Sequence, residues 1–439
     1  MTRRLYPVEI EREPDGTTLL ALSRRDVPLV SVSLSCPRLH WDDNPALASL
    51  AADLLAEGPE GTPPLEWHRE LDRRAIGVRV DATPTRWVLR AEFLSDDLDE
   101  AVVLLNRWLA EPGLPPSEWR RIVREHRAHA REEWAQPAYV IGPLSAVQTL
   151  GYGHPNAHPA AERDYRQARL EAARPVGRGA LHSGAGVYAT IGGDVGAAQG
   201  FEVLRTLLGA LIPEEAGLAP EPGLAPAAAR VWVLDNPKIN QAFIALARPG
   251  IRAGDPERIA LRLANYSLGG GGFASRLMAS VRAAMGHTYG IHSHLPEAEA
   301  LGAFTIQTFT QIANLRDMLD LIDRELAALV ADGFGERELA DARSHLHGNL
   351  PLRLTRPSSV LATAARGLAA GLSLDDLEAE RGAYRDATLE QVNAAARRLI
   401  GDGAFSLALI GPAPDILPQL DGRGDRAVFP FRAHPSRWQ

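Results

Sequence analysis

A proline-rich stretch near the midpoint divides this chain in two. From Leu211-Ile212-Pro213 through Pro226 the sequence carries four prolines with Gly and Glu between them, and it shows neither a helical nor a strand period. Such a stretch reads as an interdomain linker. It separates a first half, residues 1–212, from a second half, residues 229–439, with 213–228 between them. A linker so placed invites a search for an internal repeat.

The two halves do read alike. The first opens with strand-like text at Thr17 to Leu22 and Val27 to Cys36, then a helical stretch at Pro45 to Glu57. Alternating segments follow at Gly77 to Asp81 and Trp87 to Phe93. Leu98 to Leu109 has helical spacing, and Pro116 begins another helix from its first turn. The second half repeats this order. Strands are expected at Arg230 to Leu234 and Gln241 to Leu246, a helix from Asp255-Pro256 to about Leu268, and strands at Thr288 to His294 and Ala303 to Thr310. Helices follow at Asn314 to Ala331 and Glu336 to Leu350. Each half closes on a similar strand, Gly186 to Val195 and Phe405 to Pro412. The fold class is therefore α+β: two like α/β-roll halves, each an antiparallel-rich sheet packed with helices.

Composition removes several function classes. With 47 basic against 55 acidic side chains the net charge is −8, so nothing global points to nucleic acid or an anionic membrane. Lys238 is the one lysine, and it follows Asn236-Pro237 rather than a Gly-rich turn, which excludes a Walker A phosphate loop. Cys36 is the one cysteine, which excludes an internal disulfide and a Cys-based zinc site. No apolar run reaches the roughly 18 residues a membrane helix needs. The N-terminal residues lack an apolar signal region, so a cytoplasmic address is expected.

Residues 267–295 carry the most information. Gly269, Gly270, Gly271 and Gly272 form a permissive turn, able to approach an extended peptide backbone closely. Ser275 stands where a helix cap is wanted, ahead of Leu277, Met278 and Val281 on one face. Gly286 ends that helix, and the chain returns as a strand from Thr288. This arrangement can bring Arg282, near the helix end, beside Tyr289 at the strand start. His287, His292 and His294 form a cluster, with His292 and His294 on one face of the expected strand, but no carboxylate other than Glu297 and Glu299 accompanies them.

This stretch resembles the second-half signature of the pitrilysin/insulinase-like zinc peptidases. There a Gly-rich turn, a Ser-Arg-Leu helix, an arginine and a tyrosine seven residues later recur, and Arg282 and Tyr289 have that spacing. Asp235 to Ala242 looks like the family's strand entry to its second half. Gly151-Tyr152-Gly153-His154-Pro155 is similar to its His-Pro segment, while Ile191 to Val195 and Leu409 to Pro412 look like its two half-closing strands. The resemblance covers nearly the whole chain and implies a duplicated α+β roll.

One departure decides what the resemblance implies about activity. An active member carries His-x-x-Glu-His on a first-half helix, with a third ligand on a later helix. Two histidines on one helix face bind zinc, and the glutamate acts as general base. That motif is absent from this sequence. The histidine positions fall on Ser49 and Asp53, the base position on Ala52, and the third-ligand position near His129. Alanine cannot deprotonate water, and serine is a poor zinc ligand. No zinc is expected in this chain. The resemblance implies a non-catalytic subunit that pairs with a zinc-bearing homologous chain, and donates Arg282 and Tyr289 to a shared chamber where a peptide is cut. Two rival readings stand beside it: a scaffold or peptide-binding protein of the same fold, and a self-sufficient enzyme built around Asp53 and His129.

Overall fold

The computed structural model describes residues 4–214, 219, 221–228, 230–285, 290–401 and 403–438. The chain forms two compact units, each built around one six-stranded sheet.

The first sheet contains β1 (Glu9–Arg12), β2 (Thr18–Ser23), β3 (Leu29–Pro37), β4 (Gly77–Ala82), β5 (Arg86–Leu94) and β6 (Tyr188–Gly193), in the spatial order β1-β2-β6-β3-β5-β4. The second contains β7 (Val231–Asp235), β8 (Gln241–Pro249), β9 (Ile291–His294), β10 (Ala303–Gln311), β11 (Ser406–Gly411) and β12 (Arg426–Pro430), in the order β12-β7-β11-β8-β10-β9. Five strands correspond one to one. In both sheets the closing strand pairs parallel with the opening one, β2 with β6 and β7 with β11. In both, the three remaining ladders are antiparallel. The outermost strands differ: β1 runs antiparallel to β2, whereas β12 comes from the end of the chain and runs parallel to β7.

The alternation in β3 follows the period-2 rule. Val30, Val32, Leu34 and Cys36 are buried, while Ser31, Ser33 and Ser35 are half-buried on the other face. Against the apolar face lie the Leu47–Leu55, Leu98–Ala110 and Ala197–Leu208 helices, contributing Leu50, Leu54, Trp108, Phe201 and Leu204 to one core. Trp108 packs on Trp67 at 5.9 Å and donates its indole N–H to the Leu55 carbonyl at 2.8 Å. This bond satisfies a buried polar group at the end of the Leu47–Leu55 helix.

Each unit also takes a helix from the opposite half of the sequence. The Pro137–Leu150 helix belongs to the second unit and lies on β8 and β11, where Val140, Ile141 and Leu144 join Trp232, Ala245 and Ile410. The side chain of Gln148 in that helix donates to the Arg230 carbonyl at 3.0 Å. The Pro357–Ala369 helix belongs to the first unit and lies on β6, with Leu361 directly over Gly192. A Cβ at Gly192 would meet the Leu361 Cδ1 at 2.6 Å, so that close crossing needs glycine.

Several expected segments differ in the structure. The proline-rich stretch does contain a short strand, since Ile212–Glu214 pairs parallel with His182–Gly184. Further along it, Ala225 and Ala227 donate their amides to the Leu150 and Gln148 carbonyls. The helix expected up to Leu268 spans Arg258–Asn265 and then widens into a π-helical turn, Tyr266–Gly270. The strand expected from Thr288 begins, within the described residues, at Ile291. No helix among the described residues is long and apolar enough to cross a membrane.

Candidate functional site

The first unit contains the residues that the resemblance sets against the zinc motif. Ser49, Ala52 and Asp53 sit on the Leu47–Leu55 helix. The Ser49 hydroxyl turns back onto its own helix, donating to the Ala46 carbonyl at 3.1 Å, and lies 3.4 Å from the Tyr165 hydroxyl. Ala52 is buried in the core. Asp53 points outward, and its Oδ2 lies 2.7 Å from His126 Nε2 on the Pro116–Glu133 helix. His126 in turn stacks on Tyr165, with ring centroids 5.1 Å apart.

The sequence paired Asp53 with His129. The structure brings His126 Nε2 to 2.7 Å from Asp53 Oδ2, and His129, three residues on, is exposed. Further ion pairs tie the Pro116–Glu133 helix to its surroundings. Arg121 holds Glu57, and Arg127 holds Glu162 at 2.6 Å. The Arg127 hydrogen bond, with Arg131 assisting, keeps the Glu162 carboxyl below its usual range. Among the described residues no three His, Cys, Asp or Glu side chains come together as a metal site needs. A zinc ion therefore does not fit here: one position is an alkyl group in the core, one is a hydroxyl bonded to its own helix, and the third is already engaged.

The second unit contains the Gly-rich segment. It is not a loose turn. Gly269 and Gly270 belong to the π-helical turn, closed by the Gly271 amide donating to the Tyr266 carbonyl at 2.8 Å. Gly269 is buried against β9, where a Cβ would fall 2.6 Å from the Ser293 amide nitrogen. Gly272 has a φ of +56°, with open space where a Cβ would project. A short 3-10 turn, Gly272–Ala274, then leads to the Arg276–Met285 helix. Ser275 stands at its start, and its hydroxyl donates to the Gly272 carbonyl at 2.7 Å, fixing the turn rather than accepting from the helix.

Arg276, which sequence reasoning left without a role, anchors this helix. Its guanidinium forks onto Glu338 at 2.8 and 2.6 Å, reaches the Gly333 carbonyl at 2.9 Å, and lies 5.0 Å from the Phe334 ring centroid. Arg282, nearly two turns later, is exposed, and its guanidinium carbon lies 5.3 Å from the ring centroid of Phe273. Tyr289 and His287 lie outside the described residues. His292 and His294 project from the outer edge strand β9, and burial together with the neighbouring His294 holds the His292 imidazole below its usual range.

Comparison with known proteins bears on the fold. Residues 182–346 match the family described as the peptidase M16 inactive domain. The chain is 31% identical over 176 residues to the uncharacterized zinc protease YmxG of Bacillus subtilis, a match that spans 39% of this chain and only 42% of that relative. It is 23% identical over 351 residues to the non-peptidase homolog YmxG of Helicobacter pylori, spanning 79% of this chain and 80% of that one. A solved peptidase M16 inactive domain from Pseudomonas fluorescens superposes with a TM-score of 0.84 at 23% identity, over 92% of this chain and 98% of that chain. The structure of a protease from Helicobacter pylori gives 0.78 at 13% identity, over 92% and 99%. The α+β fold expected from the sequence is thus the one observed. Over residues 182–346 the chain is thus similar to the peptidase M16 inactive domain, and over most of its length it shares the fold of solved structures of that kind.

Proposed function

We propose that this chain is the non-catalytic subunit of a two-chain zinc peptidase, and that it lends Arg282 and Tyr289 to a peptide chamber shared with a zinc-bearing homologue. The observation that carries this reading is a contrast between two segments. Ser49, Ala52 and Asp53, which the resemblance sets against the zinc motif, supply neither its two histidines nor its general base, and Ser49 and Asp53 are hydrogen-bonded while Ala52 is buried. The Gly-rich turn, held by the Ser275 hydroxyl on the Gly272 carbonyl, leads into the Ser-Arg-Leu helix that carries the exposed Arg282. A guanidinium and a phenol donate hydrogen bonds to a carbonyl as negative charge develops on its oxygen. A residue delivered from a second chain serves as well as one in the same chain when the interface holds it rigidly. The exposed Gly270 and Gly272 suit close approach of an extended peptide. The relatives' names, a peptidase M16 inactive domain and a non-peptidase homolog, support the same reading.

The test is reconstitution. Mixing this chain with a homologue that carries His-x-x-Glu-His is expected to give zinc-dependent peptide cleavage that neither chain has alone, abolished by EDTA. Binding without any gain in activity would favour a scaffold. Failure of every such homologue to bind would remove the two-chain reading.

A further inference from the structure

Phe273 is 78% exposed, the highest value for a large apolar side chain among the described residues. A single exposed hydrophobe is ordinary. The setting of this one is not. The Gly271 amide is tied to the Tyr266 carbonyl, and the Gly272 carbonyl accepts from both the amide and the hydroxyl of Ser275, at 3.1 and 2.7 Å. The turn therefore carries Phe273 outward on a fixed backbone. Because Ser275 is fully buried, the far side of the turn is rooted in the unit.

The Arg276–Met285 helix then returns alongside, and the Arg282 guanidinium carbon lies 5.3 Å from the Phe273 ring centroid, inside the roughly 6 Å range of a cation–π contact. The Phe273 side chain otherwise stands in solvent. A ring presented this way costs little further ordering when a ligand binds.

We propose that Phe273 and Arg282 form one recognition element, in which the Phe273 ring packs against a large apolar or aromatic side chain of an extended peptide while Arg282 donates to a neighbouring backbone carbonyl. The ligand class is thus a peptide with a bulky apolar residue next to the carbonyl that Arg282 engages. Phe273 has a second effect: it restrains the guanidinium from one side, making it a positioning residue for Arg282. This inference rests on the reading of Arg282 as a chamber residue, and adds the side-chain preference that reading lacks.

The experiment uses the full chain without any partner. Two fluorescent eight-residue peptides, identical except for Phe or Ala at one central position, are titrated against it and followed by anisotropy. Wild type is expected to bind the Phe peptide about tenfold more tightly, the gain of one added aromatic contact. Phe273→Ala should lower affinity for the Phe peptide to that of the Ala peptide, Phe273→Trp should restore the preference, and Arg282→Ala should weaken both peptides. Circular dichroism checks that each variant is folded. Equal binding of the two peptides by wild type, or a preference that survives Phe273→Ala, overturns the proposal. Because the readout is binding by this chain alone, its failure is distinct from failure of the two-chain reading, which appears only as absent activity in the mixture.

Discussion

His126 Nε2 lies 2.7 Å from Asp53 Oδ2, so the Asp53 carboxylate on the Leu47–Leu55 helix is engaged by the neighbouring Pro116–Glu133 helix. Ser49 is bonded to the Ala46 carbonyl and Ala52 lies in the core, so neither side chain offers a metal an open ligand.

Metal removal should therefore leave the isolated chain unchanged. EDTA is expected to shift its melting temperature by less than about 1 °C, because a ligand that does not bind the folded state cannot stabilise it. Asp53→Ala should cost only about 0.5 kcal/mol in urea unfolding, the scale of a pair whose carboxylate is 55% exposed. A loss of several degrees with EDTA would reveal a structural metal.

Arg282→Ala is expected to lower turnover of the reconstituted pair by roughly 10²- to 10³-fold, the range for removing one donor to a developing oxyanion. Tyr289→Phe should act in the same direction. Size-exclusion chromatography should show both variants still paired with the zinc-bearing chain. Wild-type rates in both would remove these two residues from the chemistry.

Two glycines of the turn should respond differently to alanine. At Gly269 the added methyl meets the Ser293 backbone at 2.6 Å, so Gly269→Ala should destabilise the chain by about 1–3 kcal/mol, an overpacking cost. At Gly272 there is open space but a φ of +56°, and the cost should be about 1 kcal/mol, from backbone strain alone. Denaturant melts of the two variants separate the causes.

Arg262 joins three acidic or phenolic partners inside the second unit. It pairs with Glu297 and Glu380 and donates to the Tyr384 hydroxyl at 2.7 Å. Burial opposes the charge on Arg262, but the Glu297 hydrogen bond and the surrounding acidic groups outweigh it and raise the guanidinium's pKa. Burial pushes the Tyr384 phenol up. Arg262→Ala would strand Glu380, whose side chain is 8% exposed, and should cost about 3 kcal/mol in chemical denaturation. Arg262→Lys should recover only part, since an ammonium cannot reproduce the fork.

Cys36 is fully buried, and burial raises its thiol from an ordinary 9.0 to about 11. The folded chain thus keeps a proton that the unfolded chain loses between those values, and this contribution to stability falls as pH rises from 9 to 11. Cys36→Ala should flatten that part of the stability–pH curve. Ellman's reagent should leave the native thiol unmodified at pH 8 and react once urea unfolds the protein.

Much of this was legible in the residues. The alternation Val30-Ser31-Val32-Ser33-Leu34-Ser35-Cys36 specified a strand with one buried face, and the structure buries the residues so indicated. The missing His-x-x-Glu-His was plain from the text alone. The partner of Asp53 was not: His126 and His129 are three apart on one helix, and only the packing of that helix against Leu47–Leu55 selects His126. The glycines were seen as a turn, yet Gly269 is there because β9 passes close behind it, a contact between segments distant in sequence.

Sequence by itself determined the duplicated order of strands and helices and the absence of a His-x-x-Glu-His motif, because local periodicity and residue type are sufficient for both. Tertiary structure alone decided which helix covers which sheet. Pro137–Leu150 lies on strands from the second half, and Pro357–Ala369 on a strand from the first. Both helices carry an apolar surface that any sheet could bury, and burial is non-directional. The choice is made by particular close fits, such as Leu361 over Gly192 and Gln148 on the Arg230 carbonyl, which exist only once the chain has folded.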